Sequence, residues 1–240
     1  MSQLVKLLRS AGRATGRPTA GFGARSQEGA KKRLILIASL AKPDAAAAKA
    51  AFAAGADLVE VAGGVSAADL KELTAAVDGP VGIAFSGGVV SSDFSALDDS
   101  GLDYVKVEAG DVPAGVFLLE NPAVVLEVKQ EFTDTMLKTL NFLPAKAVQV
   151  DSPDDIAGFT IKELMQKRVD RELISKPLLM KVGAGVKPAD AQLLSLVAPN
   201  GLVVPAGDVG SWKDAIANLK EPSDSDDETG GAISLKAPAA

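Results

Sequence analysis

The 240-residue chain contains no cysteine and no histidine, and aromatic residues make up only 4% of it, as one Trp, one Tyr and eight Phe. The lack of cysteine excludes disulfides, thiolate nucleophiles and Cys-ligated zinc or iron–sulfur centres. The lack of histidine removes the commonest general base, the Ser-His-Asp triad and the commonest ligand of zinc and copper. Any catalysis must then rest on carboxylates, lysines, hydroxyls or backbone amides, and a hard, oxygen-bound cation such as magnesium is the metal left open. Long apolar runs are missing too. None reaches the roughly 20 residues that cross a bilayer, and no signal peptide is recognisable, so the expectation is a cytoplasmic protein with no membrane contact.

What the chain does have is apolar mass and an uneven charge. A hydrophobic content of 47% is ample for the core of one large domain. Residues 1–33 carry eight Lys/Arg and one Glu, a net of +7, whereas the remainder carries 17 Lys/Arg against 30 Asp/Glu, a net of −13, giving the overall −6. An acidic body disfavours nucleic acid as a partner, while the basic arm suits a phosphate or a protein contact.

The strongest pattern is a repeat. Taking Ile37, Glu60, Ile83, Lys106, Glu127, Gln149, Lys181 and Val204 as equivalent positions, strand-like segments recur at intervals of 23, 23, 23, 21, 22, 32 and 23 residues. Ala-, Leu- and Lys-rich stretches of helical periodicity fill the gaps, so the unit is one strand and one helix, repeated eight times. Right-handed crossovers close eight such units into a TIM-type (β/α)8 barrel. The expected strands begin near Leu34, Leu58, Val81, Tyr104, Val124, Ala147, Leu178 and Leu202. Gly55, Gly79, Gly101 and Gly201 stand where helix ends call for a left-handed residue. A fourth barrel helix is expected over Pro113–Glu120, and Thr160 and Glu163 form a capping box that starts the sixth. The domain reading is a basic N-terminal helix and arm over 1–33, with Leu4, Leu7, Leu8 and Ala11 on one face, the barrel over 34–221, and a disordered acidic tail over 222–240.

Five strands share a pattern in which a Val follows a charged or polar residue: Glu60-Val61, Lys106-Val107, Glu127-Val128, Gln149-Val150 and Lys181-Val182. Alternate residues of a barrel strand face the axis or the helices, so with Val against the helices the polar residues point inward. Barrel interiors are ordinarily filled by Val, Ile and Leu, which makes a layer of Glu60, Lys106, Glu127, Gln149 and Lys181 unusual. Ser39, Glu108, Lys129 and Asp151 lie above it. Such charges can form a structural ion-pair network, or they can be catalytic. A lysine desolvated beside another cation is partly neutral and attacks carbonyls, with Glu108 or Asp151 as proton shuttle.

Two local motifs resemble known families. Tyr-Val-Lys106-Val resembles the fourth-strand lysine of transaldolase-type class I aldolases, which implies a Schiff-base nucleophile, with Lys181 as second candidate. Lys-Val-Gly183-Ala-Gly185-Val and Leu-Val-Val-Pro-Ala206-Gly207-Asp208 resemble the seventh and eighth strand ends of phosphate-binding TIM barrels. That resemblance implies a substrate phosphate held by Gly183, Gly185 and Gly207, although Pro205 and Asp208 depart from the pattern and Asp208 would repel an anion. The combined expectation is a lyase or aldolase-like enzyme acting on a small oxo-acid or sugar-phosphate carbonyl. Its catalytic residues would be Lys106, Lys181, Glu108 and Asp151, with no cofactor. The alternatives are a magnesium-assisted enzyme using Glu108, Asp151 and Asp111 or Asp154, or a non-catalytic barrel that binds a metabolite or joins an assembly. Self-association stays open.

Overall fold

The computed structural model describes residues 2–14, 34–85, 92–110, 112–129, 132–154 and 159–219. The expected arm over 15–33 and tail over 222–240 lie outside them. Eight strands, β1 (Ile35–Leu40), β2 (Leu58–Ala62), β3 (Val81–Ala84), β4 (Tyr104–Glu108), β5 (Ala123–Glu127), β6 (Ala147–Asp151), β7 (Leu178–Lys181) and β8 (Gly201–Pro205), pair in sequence order and in parallel, and β8 closes onto β1. The eight-beat reading of the sequence is thus the fold. The surrounding helices are α2 (Ala45–Ala54), α3 (Ala67–Ala76), α4 (Ser92–Asp98), α5 (Asp134–Leu140), α6 (Ile161–Leu173), α7 (Ala191–Ser195) and α8 (Val209–Ala217), with α1 (Gln3–Ala14) ahead of the barrel. Side chains of Asp44, Ser66, Thr133 and Thr160 cap four of them, and Thr160 with Glu163 completes the expected capping box.

Alternation along the strands divides the core into two shells. Val61, Val107, Val128, Val150 and Val182 all pack in the outer shell against the helices, as their register requires. Ile35, Ile37, Leu58, Tyr104, Val125, Leu179 and Val203 form the inner one. Ile83 and Val204, taken as equivalents of Lys106, belong to the outer shell instead. With a side-chain period of two, a one-residue slip in the alignment turns a strand over, so the beat that locates β3 and β8 misassigns their faces.

Two further local expectations are corrected. Gly55 and Gly101 do take left-handed backbone, with φ of 108° and 75°, but Gly79 and Gly201 do not. Those two are glycines because of crowding: a β-carbon at Gly79 would run into the Phe52 ring, and one at Gly201 into Ile35 and Leu179. Between β4 and β5 the expected helix is only a 3-10 turn, Ala114–Leu118, closed by Val116 N–H donating to the Pro113 carbonyl at 3.1 Å. Gly115 inside so short a connection leaves too few good helix formers to continue it.

α1 plugs the barrel floor. Leu4 and Leu8 enter the inner shell among the first residues of the strands. The helix is held by a carboxylate from another part of the chain. Asp103, just before β4, accepts the N–H of Gln3 (2.6 Å), the N–H of Leu4 (2.8 Å) and the hydroxyl of Ser2 (2.8 Å). One side chain thereby satisfies two of the orphan donors at the helix start and sits at the positive end of its dipole. Replacing Asp103 with Ala is expected to lower stability by about 1–3 kcal/mol, the scale of a lost cap plus hydrogen bonds to a charged group. Urea unfolding measures the loss, and hydrogen exchange should show residues 3–14 losing protection first.

Candidate active site

The expected polar layer is present on the barrel axis. Glu60, Lys106, Glu127 and Gln149 are all buried, whereas Lys181 reaches the exposed rim. The Lys106 ammonium lies 2.8 Å from Glu127 Oε2, and the Tyr104 hydroxyl donates to Glu60 Oε2 at 3.1 Å. Tyr104 fits because β3 offers Gly82 opposite it, where any β-carbon would collide with the phenol ring. Burial pushes the Glu60 carboxyl above the ordinary carboxylate value, more than nearby Lys106 and the Tyr104 hydrogen bond draw it down. The Tyr104 hydroxyl is raised well above its usual range, first by burial and then by the charge of Glu60. Neither amide atom of fully buried Gln149 finds a hydrogen-bond partner among the described residues.

Lys106, the first-choice nucleophile from the sequence, is therefore locked at depth in an ion pair. Higher up, Lys129 pairs with Glu108, an exposed ammonium on a largely covered carboxylate. Lys181 and Asp151 differ from both. They are direct partners in the β6–β7 ladder, both exposed, and neither forms an ion pair among the described residues. Together with Asp154, Gly183 and Pro205 they line a cleft of about 670 Å³ at the C-terminal ends of the strands, the face where barrel enzymes carry their chemistry.

The glycines expected to cradle a phosphate are used otherwise. Gly183 N–H donates to Ser152 Oγ at 2.8 Å and Gly185 N–H to the Asp154 carbonyl at 3.0 Å. A β-carbon on Gly183 would sit 2.6 Å from the Pro153 carbonyl oxygen, so this glycine is needed for loop-on-loop packing. Only Gly207 stands clear, in the 3-10 turn Ala206–Asp208 that leads into α8, with no atom within 4 Å of a built β-carbon. Among the described residues no three acidic side chains converge on a metal position. Asp111, a candidate magnesium ligand, lies outside them.

Reading the sequence by strand alternation brings Lys106, Glu127, Glu60 and Gln149 together correctly, and it could have found Tyr104, two residues before Lys106 on the same face. Ser152, which ties the β6 and β7 loops, and Lys167 of α6, which reaches the cleft, carry no signal in a single sequence.

No family model and no curated protein sequence matches the chain. Solved structures do. The N-(5'-phosphoribosyl)anthranilate isomerase of Pyrococcus furiosus is 13% identical at a TM-score of 0.60, over 78% of this chain and 100% of that one. A tryptophan synthase of Mycobacterium tuberculosis is 16% identical at 0.64, over 90% and 98%. The thiamine phosphate pyrophosphorylase of Pyrococcus furiosus is 14% identical at 0.57, over 78% and 96%. At such identities the likeness establishes the barrel fold. Among the described residues no helix is long and apolar enough to cross a membrane.

Two stability tests probe the axis. Because the native state keeps a proton on Glu60 that the unfolded chain has already released, folding stability contributed by this site falls as pH climbs from the ordinary carboxylate value through the raised one. Glu60→Gln should flatten that slope in chemical denaturation curves collected from about pH 4 upward. Gln149→Met, which keeps the volume and removes the unsatisfied amide, should raise stability by about 1–3 kcal/mol. A loss instead would show that the amide is hydrogen-bonded in solution.

Proposed function

We propose that this barrel is a lyase or aldolase-like enzyme that acts on a small oxo-acid or sugar-phosphate carbonyl through a Schiff base, with Lys181 as nucleophile and Asp151 as its proton carrier. The observation that carries the reading is the juxtaposition, on neighbouring strand tips in the cleft, of a lysine and a carboxylate that form no ion pair among the described residues. Lys181 Nζ, in its neutral form, adds to the substrate carbonyl carbon. The Asp151 carboxylate carries a proton from the adduct nitrogen to the oxygen, and a second proton, drawn from solvent through Asp151, lets the hydroxyl leave as water so that an iminium remains. As the carbon–carbon bond next to the iminium carbon breaks, its electron pair forms an enamine, and Asp151 takes the hydroxyl proton of the departing fragment, which leaves as a carbonyl compound. Return of that proton to the enamine carbon, followed by addition of water, releases the second product and restores the amine. Glu108, held against Lys129, stands by as a second acid/base group. The three structural likenesses include two proteins whose names specify phosphorylated compounds, which supports a phosphorylated substrate. Gly207 and the start of α8 are the part of the expected cradle still open to such a group.

A second reading, a non-catalytic metabolite-binding barrel, is favoured by the closed amides of Gly183 and Gly185 and by the ion pairs on Lys106 and Lys129. Borohydride trapping separates the two. Incubation with a panel of small aldehydes, oxo acids and sugar phosphates, followed by peptide mapping, should give a reduced adduct on Lys181 that Lys181→Met abolishes. An adduct on Lys106 would restore the buried lysine as nucleophile, and no adduct from any compound would overturn the Schiff-base reading.

A further inference from the structure

α6 seats only Leu164 and Leu173 against the barrel core and turns a second apolar ridge to solvent. Its 13 residues bury none of their number. Ile161, Met165 and Val169, spaced at four, point outward with 79%, 63% and 44% of their surface exposed. Beside those two leucines, Glu163, Gln166, Lys167 and Asp170 roof a solvent-open chamber of about 270 Å³. Across from them lie the apolar residues Val128, Phe132, Leu137, Val150 and Ile174, with Lys129, paired to Glu108, at the margin. Polar anchors fix the far end of the helix. Arg171 donates to the carbonyls of Ala198 (3.2 Å) and Ile174 (2.8 Å), and Arg168 to that of Leu196 (3.2 Å).

The charges of the roof are not spent on each other. Glu163 precedes Lys167 by four residues and Asp170 follows by three, the spacings at which opposite charges pair along a helix. Yet Lys167 forms no ion pair among the described residues. Glu163 Oε2 is occupied by the N–H and hydroxyl of Thr160, and Asp170 Oδ1 by Gln166, so each carboxylate keeps one oxygen for another donor. The set thus offers a cation and two partly free carboxylates along one edge, with an apolar wall across from them. A single anion would meet the carboxylates, a single cation would meet Lys167, and a neutral apolar molecule would leave all three unused.

We infer that the chamber between α6 and the β5–β6 wall is a binding site for a zwitterionic amino acid with an apolar side chain. The ligand carboxylate meets Lys167, its ammonium meets Asp170 and Glu163, and the side chain lies against Val128, Phe132 and Val150. The volume suits this class, since a cavity of about 150 Å³ already holds benzene. The chamber joins the strand-end cleft at Lys129 and Lys167, which line both, so occupancy would be felt at the rim. The site stands independently of whether Lys181 reacts with a carbonyl.

Calorimetric titration of the full chain with L-leucine and L-phenylalanine tests it, with glycine, leucinamide and 4-methylpentanoate as ligands lacking the side chain, the carboxylate and the ammonium. Leucine or phenylalanine should bind at least tenfold more tightly than each of the three, and Lys167→Met and Asp170→Asn should each weaken binding at least tenfold with unchanged thermal unfolding. Lys181→Met should leave it intact. Leucine and phenylalanine binding no better than glycine, binding indifferent to the Lys167 and Asp170 variants, or binding lost only in Lys181→Met would each overturn the inference. The last outcome would move the ligand to the cleft.

Discussion

The ion pair between Lys106 and Glu127 sets the terms for everything else on the barrel axis. Two acidic side chains, Glu60 and Glu127, reach the dry interior near one deep ammonium, and Glu127 takes it at 2.8 Å. A buried carboxylate costs several kcal/mol, and Glu60, which feels the charge of Lys106 without pairing to it directly among the described residues, must find further relief. It does so by holding its proton more tightly and by accepting the Tyr104 hydroxyl. Tyr104 in turn needs room, which the missing side chain at Gly82 provides. Below the phenol the axis turns wholly apolar, and Leu4 and Leu8 of α1 finish it. A charge in the centre is thus compensated by a chain of local accommodations running down to the floor.

The same arrangement bears on where chemistry can occur. A lysine that neutralises a buried carboxylate cannot leave that partner without exposing an uncompensated charge, so reaction at Lys106 would be opposed by the stability of the whole axis. Lys181 forms no ion pair among the described residues, and its charge is only a minor influence on Glu60. It stands two residues above Leu179 of the inner shell, at the boundary where packing gives way to solvent, beside Asp151. In the reaction we propose, stability at the centre and chemistry at the rim go together, because the interior charges are matched largely among themselves.

The fold was legible because its signal is periodic and repeated. Eight strands spaced some 23 residues apart cannot all be accidents, and the recurring Val against the helices fixed the inward side of five of them. Errors arose wherever one residue stood alone. Gly79 and Gly201 look like helix caps in sequence, but they answer to Phe52, Ile35 and Leu179, residues brought there only by folding. Gly183 and Gly185 look like an anion cradle, and their amides are taken by Ser152 and Asp154 across a loop boundary. A glycine states that something is close; it does not say whether that something is a ligand or the protein itself.

α6 shows a subtler limit. Its capping box and length were readable, and its Ile161-Met165-Val169 ridge has the spacing that would normally seat a helix on its barrel. Sequence periodicity identifies an apolar stripe but does not say which way it faces. Here Arg168 and Arg171 bond to carbonyls at the end of α7 and at Ile174, which fixes the end of the helix with the ridge outward. Turning the stripe outward forgoes apolar burial worth roughly 1.5–3 kcal/mol for each large side chain. A fold that accepts such a loss while holding a lysine between two carboxylates across from Val128, Phe132 and Val150 has kept a polar surface where packing alone would have removed it.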